Sequence, residues 1–447
     1  MSATLPNAVL QFLGRSGGEG LSETFLPAAD SRRWVRSLAW LDSAGLSLYF
    51  LAALTKRNLA SSVPRDFLDC LENRKRSNQK RISRIAETFA ILNHRFVQEG
   101  VEYTALKGFS LVPEYCADAS LRTMSDLDYL VTASSLEPAQ RVLAERGYVL
   151  KKQTAEEFAF WIPSAESAWD AQLFSAATPF AIELHLSVWN SSFRDFHVDV
   201  PTISTRRVQI RRFNGGEYRA LPDPEAFLVQ VLHAFRHLMD RCLKPSWLLE
   251  LSQFLIGRRH DVPFWSSVGE LVQFDVMLPE VIGFIARMAR QVLETPIPEP
   301  VVPWAEKVHP AAQFWIKQYA RNWLVENGSY NGLTMFPPTK VALFLKDIYT
   351  RDARVQTNLN RRALFPWGGL RHVAPSTWSS QTKLRAARQK ITWIASRLVY
   401  HTTTTARYWC ELPRWRSRIR TIATVTSTAG TDQTLNGSTY LNGRLST

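Results

Sequence analysis

An alternation of apolar and acidic positions marks a short strand near the middle of the chain. Asp126, Leu127 and Asp128 are followed by the apolar run Tyr129–Val131. Side chains alternate across a strand, so residues two apart share a face. The pattern therefore predicts a half-buried strand on which Asp126 and Asp128 project the same way.

A helix and a second strand are predicted before this acidic strand. Apolar residues three and four positions apart indicate the helix; they are Ile82, Ile85, Phe89, Leu92 and Phe96. Gly100 is placed to end it. The run Val101–Leu106 predicts a strand, and Gly108 then begins a turn that leads into a short helical segment. A glycine after a strand allows backbone N–H groups to approach a phosphate closely.

A third carboxylate lies on another alternating run, Phe180–Trp189. Glu183 and His185 share one face of this predicted strand. We expect the strand to lie beside the acidic strand, so that Glu183 reaches the same site. The segment Gln172–Ser175 with Thr178-Pro179 is predicted to form the first arm of a hairpin leading into it.

The rest of the pattern is mostly helical. Helices are predicted within residues 1–75, at 136–143 ending near Gly147, and in three segments between Trp247 and Leu293. Residues 206–212 and the turn Asn214–Gly216 predict a hairpin whose charged residues face water.

A further helix is predicted from Asp223, with that residue as N-cap and Pro224 at the first helical position. His233 and His237 are four apart on this helix and therefore share one side. Three interpretations stay open for the pair: a metal site, a wall of a substrate cleft, or plain helix surface or core.

Five segments are predicted: an N-terminal helical segment, a core carrying the carboxylates, a helical domain, a basic Trp-rich extension and a disordered tail. Their ranges are 1–75, 76–220, 221–350, 351–420 and 421–447. At 447 residues, with 45% hydrophobic residues and 15 Trp, the chain can bury a large core.

Features that would direct the chain out of a reducing compartment are not evident in the sequence. No pair among the four cysteines has zinc-ligand or redox spacing, which favours a cytoplasmic protein. No signal peptide is recognised at the N-terminus. Leu38–Leu54 is too short and too polar to cross a bilayer and is interpreted as a buried helix, so no transmembrane segment is predicted.

The formal charge of +14 is concentrated near the C-terminus, where Arg351–Arg420 holds fifteen Lys or Arg against two acids. Five tryptophans are interspersed with them: Trp367, Trp378, Trp393, Trp409 and Trp415. This composition suits a nucleic acid or another polyanion. It suits an anionic membrane surface equally well, which would make the protein peripheral to the membrane. A basic helix packed on the rest of the chain is the third interpretation.

The acidic strand is the main candidate for chemistry. Adjacent carboxylates repel one another unless a proton or a cation lies between them. Mg²⁺ prefers oxygen ligands and often binds one or two carboxylates together with substrate phosphates. A solvated strand end is the alternative, because a bare Asp-x-Asp is common.

Taken together, four segments resemble the uncharacterised bacterial nucleotidyltransferase family of the polymerase-beta-like superfamily; they are Leu106–Tyr115, Leu121-Arg122, Ser125–Val131 and Ile182–His185. The similarity covers roughly Arg57 to Pro298. It implies an α+β fold: a small mixed β-sheet nucleotidyltransferase core flanked by helices, then a helical domain and a basic helical C-terminal extension.

The resemblance also implies roles for individual residues. Asp126, Asp128 and Glu183 would hold the catalytic Mg²⁺ (or Mn²⁺), and Gly108 would lie beside the triphosphate. Many members of the superfamily have Gly-Ser at this turn, whereas here Lys107 precedes the glycine and Phe109 follows it, which leaves Ser110 as the nearby hydroxyl. Arg122 is either a phosphate contact or a salt-bridge partner that orients Asp126. His185, His233 and His237 are candidates for the cleft.

The predicted reaction is transfer of an NMP group from an NTP to a hydroxyl by a two-metal mechanism, with release of pyrophosphate. Lys107 or Arg122 would stabilise charge on the leaving group. A protein side chain, a small molecule, a sugar or an RNA end would all serve as acceptor. The alternative is a catalytically silent binding or regulatory module that acts through its basic C-terminal segment.

Overall fold

The computed structural model describes residues 5–14, 30–163, 173–189, 203, 205, 207–327, 339–350, 364 and 383–429. Within them the chain forms one mixed β-sheet and a larger body of helices. The predicted α+β fold is confirmed.

Seven strands form the sheet, in the spatial order β3-β4-β5-β2-β1-β7-β6. They are β1 (Tyr103–Ala105), β2 (Asp126–Val131), β3 (Val149–Gln153), β4 (Glu157–Trp161), β5 (Ala181–His185), β6 (Gln209–Phe213) and β7 (Gly216–Ala220). The pairs β2·β5 and β1·β7 are parallel, and the other neighbours are antiparallel.

Fourteen α-helices are described. They are α1 (Leu5–Gly14), α2 (Ser31–Ser43), α3 (Ser47–Lys56), α4 (Arg65–Gln98), α5 (Ala133–Glu145), α6 (Asp223–Met239), α7 (Pro245–Gly257), α8 (Val262–Val272), α9 (Met277–Leu293), α10 (Val302–Glu306), α11 (Pro310–Trp315), α12 (Arg321–Asn327), α13 (Leu343–Tyr349) and α14 (Lys383–Ala429). A π-helical turn, Ile316–Ala320, joins α11 to α12.

The predicted helix before the first strand is confirmed as the C-terminal part of α4. Its apolar face, including Phe89 and Phe96, is buried in the same core as Tyr129 of β2. The helix ends at Gln98, and Gly100 adopts a φ of +67°, as a glycine C-cap requires. The predicted boundary at residue 75 falls inside this helix. The division into five segments stays a prediction.

The helical body has a core of its own, which unites both ends of the described chain. It includes Phe12 of α1, Trp34 of α2, Phe235 of α6 and Trp415 of α14. The N-terminal helices therefore pack on the helices that follow the sheet. Of these later helices, α6 and α7 contribute one wall of the cleft described below.

The prediction of a single buried helix across Leu38–Leu54 is wrong. Two helices, α2 and α3, occupy this segment and meet at 117°. Gly45 lies between them with a φ of +70°, and a Cβ there would lie 2.4 Å from Ser246 Oγ, so the bend requires glycine. Among the described residues, no single helix is long and apolar enough to cross a membrane. Only α2 and α3 taken together reach that length and apolarity, and they are bent.

The predicted hairpin arm at Gln172–Ser175 is also wrong. Residues 173–180 contain no strand, and residue 172 lies outside the described residues. The partner of β5 on that side is β4, whose Phe158 and Phe160 pack in the sheet core. Arg81 of α4 instead donates hydrogen bonds to the carbonyls of Ser175 and Thr178, which holds this segment as a loop.

The hairpin β6·β7 forms as predicted, with positive φ at Asn214 and Gly215. Its charged residues do not all face water. Arg211 is partly buried and pairs with Asp223, whereas Ile210 on the other face is 58% exposed. The predicted N-cap of the next helix is also wrong, because other side chains bind its carboxylate. Asp223 is the first residue of α6, and its carboxylate accepts hydrogen bonds from Gln209, Arg211 and Arg258.

The predicted disordered tail begins too early, because α14 continues to Ala429. Residues 430–447 lie outside the described residues, as do Trp367 and Trp378 of the basic segment. The four cysteines are all free.

Candidate active site

Two adjacent parallel strands bring the predicted carboxylates together. In the register of β2 and β5, Asp128 lies opposite Glu183 and Leu130 lies opposite His185. Asp126 precedes Asp128 on the same face of β2, opposite Ala181. The expected adjacency of the Glu183 strand and the acidic strand is confirmed.

Asp128 lies at the centre of this cluster and is almost fully buried. Its Oδ1 accepts a hydrogen bond from Lys107 Nζ at 2.8 Å and lies 3.1 Å from His185 Nε2. The same imidazole nitrogen lies 3.6 Å from Glu183 Oε2. His185 thus lies between two of the carboxylates, and Lys107 places a positive charge beside Asp128.

The surroundings shift the pKa values of the two aspartates in opposite directions. Burial and the neighbouring Asp128 raise the pKa of Asp126. Burial would do the same to Asp128, but Lys107 and His185 hold the pKa of that carboxyl well below its usual range. Burial lowers the pKa of His185, yet its hydrogen bonds to Asp128 and Glu183 raise it to about 9. These two contacts favour the imidazolium form of His185.

The donor set fits a divalent cation. One ligand atom from each of Asp128, Glu183 and His185 lies within 4.8 Å of the others. While His185 is protonated, the two carboxylates are the ligands of this group. Asp126 is not in this tight group, although its charge is close enough to interact with both Asp128 and Glu183. Three carboxylates on one face are the oxygen ligands that Mg²⁺ and Mn²⁺ prefer.

The glycine turn follows β1 and borders the same cleft. Gly108 has a φ of +66°, which favours glycine, and its carbonyl accepts a hydrogen bond from Arg122 Nη1 at 3.0 Å. Ser110 does not present its hydroxyl to the cleft, since the group donates to the carbonyl of Lys107 at 3.2 Å. The atoms nearest to a Cβ on Gly108 would be those of the Met124 and Leu127 side chains.

We expect Gly108→Ala to lower the free energy of unfolding by about 1–2 kcal/mol, because alanine must adopt a left-handed backbone. Space is not the obstacle, since the nearest atom to the added Cβ would be Met124 Sδ at 3.6 Å. Gly100→Ala is a matched control at a φ of +67°, with no atom within 4 Å. Urea unfolding should show similar losses for both variants, whereas only Gly108→Ala should weaken nucleotide binding. Equal nucleotide binding by both would reduce Gly108 to a turn residue.

The ion-pair partner of Arg122 is a glutamate of the helical body. Its guanidinium binds Glu250 of α7 with Nε–Oε1 and Nη2–Oε2 distances of 2.8 and 3.2 Å. Tyr49 of α3 donates its hydroxyl to the same Glu250 Oε1 at 2.6 Å. Of the two roles predicted for Arg122, the salt bridge to Asp126 is therefore wrong, and the phosphate contact stays a prediction. In the structure Arg122 joins the glycine turn to the helical body.

A cleft of about 300 Å³ lies between the sheet and the helical body. Asp126, Glu183 and His185 line the sheet side. His233 and His237 line the opposite side, where their rings contact each other at 4.3 Å and each contacts Trp247. Burial first, and then the charge of Lys107, lower the pKa of both histidines, that of His237 to about 3.

In this geometry both histidines line the cleft, and their role at a substrate cleft stays a prediction. Neither residue belongs to a group of metal ligands in the part of the chain that the structure describes. Both imidazoles are neutral at physiological pH and form, with Trp247, an aromatic wall facing the carboxylates.

Sequence reasoning missed Lys244, which lines the cleft just before α7. Its Nζ lies 5.3 Å from the centre of the Trp247 ring. Among the described residues no carboxylate lies within salt-bridge distance of it, and burial lowers its pKa although Asp126 opposes the shift. A single lysine between two helices carries no sequence signal that would have identified it.

The sheet and its carboxylates define the class of this protein. Acidic side chains on two neighbouring strands, a glycine turn beside them and a cation-lined cleft are what the resemblance implies for a nucleotidyltransferase. The family model described as "Uncharacterised nucleotidyltransferase" matches residues 30–292, more than half of the chain. The chain belongs to this family. No curated protein and no solved structure gives a significant match.

Proposed function

We propose that the protein transfers an NMP group from an NTP to a hydroxyl acceptor and releases pyrophosphate. Asp126, Asp128 and Glu183 would hold the catalytic Mg²⁺ or Mn²⁺. The observation that carries the proposal is the parallel pairing of β2 with β5, which brings three carboxylates to one face beside the glycine turn.

Charge balance supports a cation at this place. Lys107 and the His185 imidazolium already offset part of the negative charge of the three carboxylates. Burial first, and then the charge of Asp128, raise the pKa of Asp126, a shift that a bound cation would oppose. When bound, divalent cations would neutralise the triphosphate and stabilise the charge that develops on the reacting oxygens.

The protein's own cations have separate roles in this proposal. Lys107 holds Asp128 ionised and oriented, so it is a positioning residue as well as a charge near the phosphates. Arg122 is engaged by Glu250, so it positions the glycine turn through the Gly108 carbonyl. Lys244 has no carboxylate partner among the described residues and faces the cleft, and we assign it to the phosphates of the donor.

Lys244→Met is expected to weaken NTP binding by about tenfold or more, because a hydrogen bond to a charged group contributes ~1.5–3 kcal/mol. The variant should be as stable as the wild type or more stable, because burial disfavours the ammonium. Calorimetric titration with NTP and Mg²⁺ measures the first effect, and urea unfolding measures the second. Lys80→Met, on the exposed face of α4, is the control. Unchanged NTP affinity in Lys244→Met would refute its assignment.

A catalytically silent binding module is the second candidate. One observation favours it: Lys107 and His185 both contact Asp128, so the cluster is partly neutralised by the protein itself. In such a module the cluster would serve stability alone, and the basic C-terminal segment would bind the partner.

Metal-dependent nucleotide binding separates the two candidates. An enzyme should bind an NTP in the presence of Mg²⁺ or Mn²⁺ and lose that binding on addition of EDTA. A silent module should bind neither metal nor NTP at the carboxylates. Titration of the full chain with each of the four NTPs, with and without metal, also identifies the donor.

A further inference from the structure

The C-terminal helix α14 carries an unusual share of exposed apolar side chains. Ile391, Leu398, Val399 and Trp409 are 68%, 52%, 63% and 52% exposed, respectively. Isolated exposed apolar residues are common on soluble proteins, whereas four on one helix, two of them adjacent, favour an interaction surface.

Three of these residues are aligned along the helix. At about 100° per residue, the spacings from Ile391 to Leu398 and from Leu398 to Trp409 return within about 20° of the same direction. Arg416 and Arg420 continue the same line towards the C-terminus. We call these five residues, together with Val399, the exposed stripe.

A different side of α14 attaches the helix to the body. Tyr408, Leu412 and Trp415 are buried, and the Trp415 ring stacks on Phe344 of α13 at 4.8 Å. Because these contacts hold the helix from another side, the exposed stripe has no covering element among the described residues.

Cationic charge surrounds the exposed stripe. The range Lys383–Ala429 contains ten Lys or Arg and one acid, Glu411. On the body next to the helix, Arg287, Arg290 and Lys317 join Arg418 around a pocket of about 590 Å³, which also contains Glu306. Positive charge therefore extends from α14 onto the neighbouring helices.

We propose that this surface binds an anionic phospholipid membrane. An interfacial helix has basic residues on its polar side and places aliphatic and Trp side chains at the boundary of headgroups and acyl chains. The apolar members of the exposed stripe are three aliphatic residues and one Trp. Aliphatic side chains have no ring on which a base can stack, whereas binding to single-stranded nucleic acid depends on such stacking. The composition thus favours lipid over RNA.

The cationic pocket is not part of this membrane surface. Arg418 lies about 180° around the helix from Trp409, so the pocket that it lines lies on the other side of α14 from the exposed stripe. The membrane would contact the protein along the exposed stripe, and the nucleotidyltransferase cleft has no lining residue from α14.

Flotation of the full chain with vesicles tests the proposal. We expect binding to phosphatidylcholine vesicles that contain roughly a third phosphatidylserine, and much weaker binding to phosphatidylcholine alone at ~0.15 M salt. Arg416→Gln with Arg420→Gln should weaken binding roughly 30-fold, about fivefold for each cation lost.

The apolar part has a matched control. Val399→Asp should weaken vesicle binding about tenfold or more, whereas Val276→Asp, at a valine that is 84% exposed outside α14, should not. The blue shift of tryptophan emission on vesicles should be smaller in Trp409→Phe than in the wild type.

Results of three kinds would overturn the proposal. The first is failure to bind anionic vesicles even at low salt. The second is equal vesicle binding by Val399→Asp and Val276→Asp. The third is tighter binding to single-stranded RNA than to vesicles, or a wild-type dimer that Val399→Asp dissociates, which would assign the surface to nucleic acid or to a second copy of the chain.

Discussion

Asp126→Asn is expected to lower nucleotidyl transfer by roughly 10³-fold, because a bound metal supplies several kcal/mol of charge stabilisation that the neutral amide cannot support. Asp128→Asn should have an effect of similar size, and so should Glu183→Gln. Initial rates with saturating NTP and Mg²⁺ measure the loss. Retention of most of the activity in Asp126→Asn would remove this carboxylate from the catalytic set.

The two aspartate variants should differ in their free energy of unfolding. Measuring it shows whether a loss of activity is caused by unfolding. The raised pKa of Asp126 means that folding disfavours its charge, so Asp126→Asn should unfold no more easily than the wild type at neutral pH. Asp128→Asn removes the anion that contacts Lys107 and His185 and should be destabilised. Asp126→Asn is therefore the cleaner test of function.

Glu250→Ala is expected to lower the free energy of unfolding by about 3–5 kcal/mol, because it leaves the buried guanidinium of Arg122 without its counter-ion. The Arg122 side chain is only 12% exposed, and Tyr49 loses its acceptor as well. Urea unfolding measures the loss, and a loss of activity should accompany it because Arg122 also holds the Gly108 carbonyl.

An exposed ion pair supplies the control for this prediction. Arg95 and Glu145 form a salt bridge at 2.8 Å, and more than a third of each side chain is exposed to solvent. Glu145→Ala should therefore change stability by no more than ~1 kcal/mol. If Glu250→Ala were as stable as Glu145→Ala, Arg122 and Glu250 would not connect the glycine turn to the helical body as described.

The parts of the fold that follow local rules were predictable from the sequence. Alternation identified β2 and β5, and apolar periodicity identified the helix that packs on them. The Asn214-Gly215 turn specified a hairpin, because both residues tolerate positive φ. These elements already hold Asp126, Asp128 and Glu183. The pairing of β2 with β5 does not follow from the local pattern, since strand order is not a local property.

The parts that were missed depend on contacts between distant segments. Arg122 and Glu250 are 128 positions apart, so nothing near either residue indicates their pairing. Asp223 has the sequence pattern of an N-cap, but its carboxylate accepts hydrogen bonds from Arg211 and Arg258 and does not cap the helix. The first arm expected beside β5 was replaced by β4, because Arg81 binds the carbonyls of the segment predicted to form it.

Transfer of label from the α-phosphate of an NTP tests the central claim most directly. The full chain, a cell lysate as the source of acceptors, Mg²⁺ or Mn²⁺ and each NTP in turn would be incubated, and protein, RNA and small-molecule products separated. Parallel reactions would carry the label on the γ-phosphate or use Asp126→Asn. We predict that α-label enters one class of product, that γ-label is released as pyrophosphate, and that Asp126→Asn transfers neither. Transfer of γ-label to an acceptor, or equal α-label transfer by the wild type and Asp126→Asn, would contradict nucleotidyl transfer at these carboxylates.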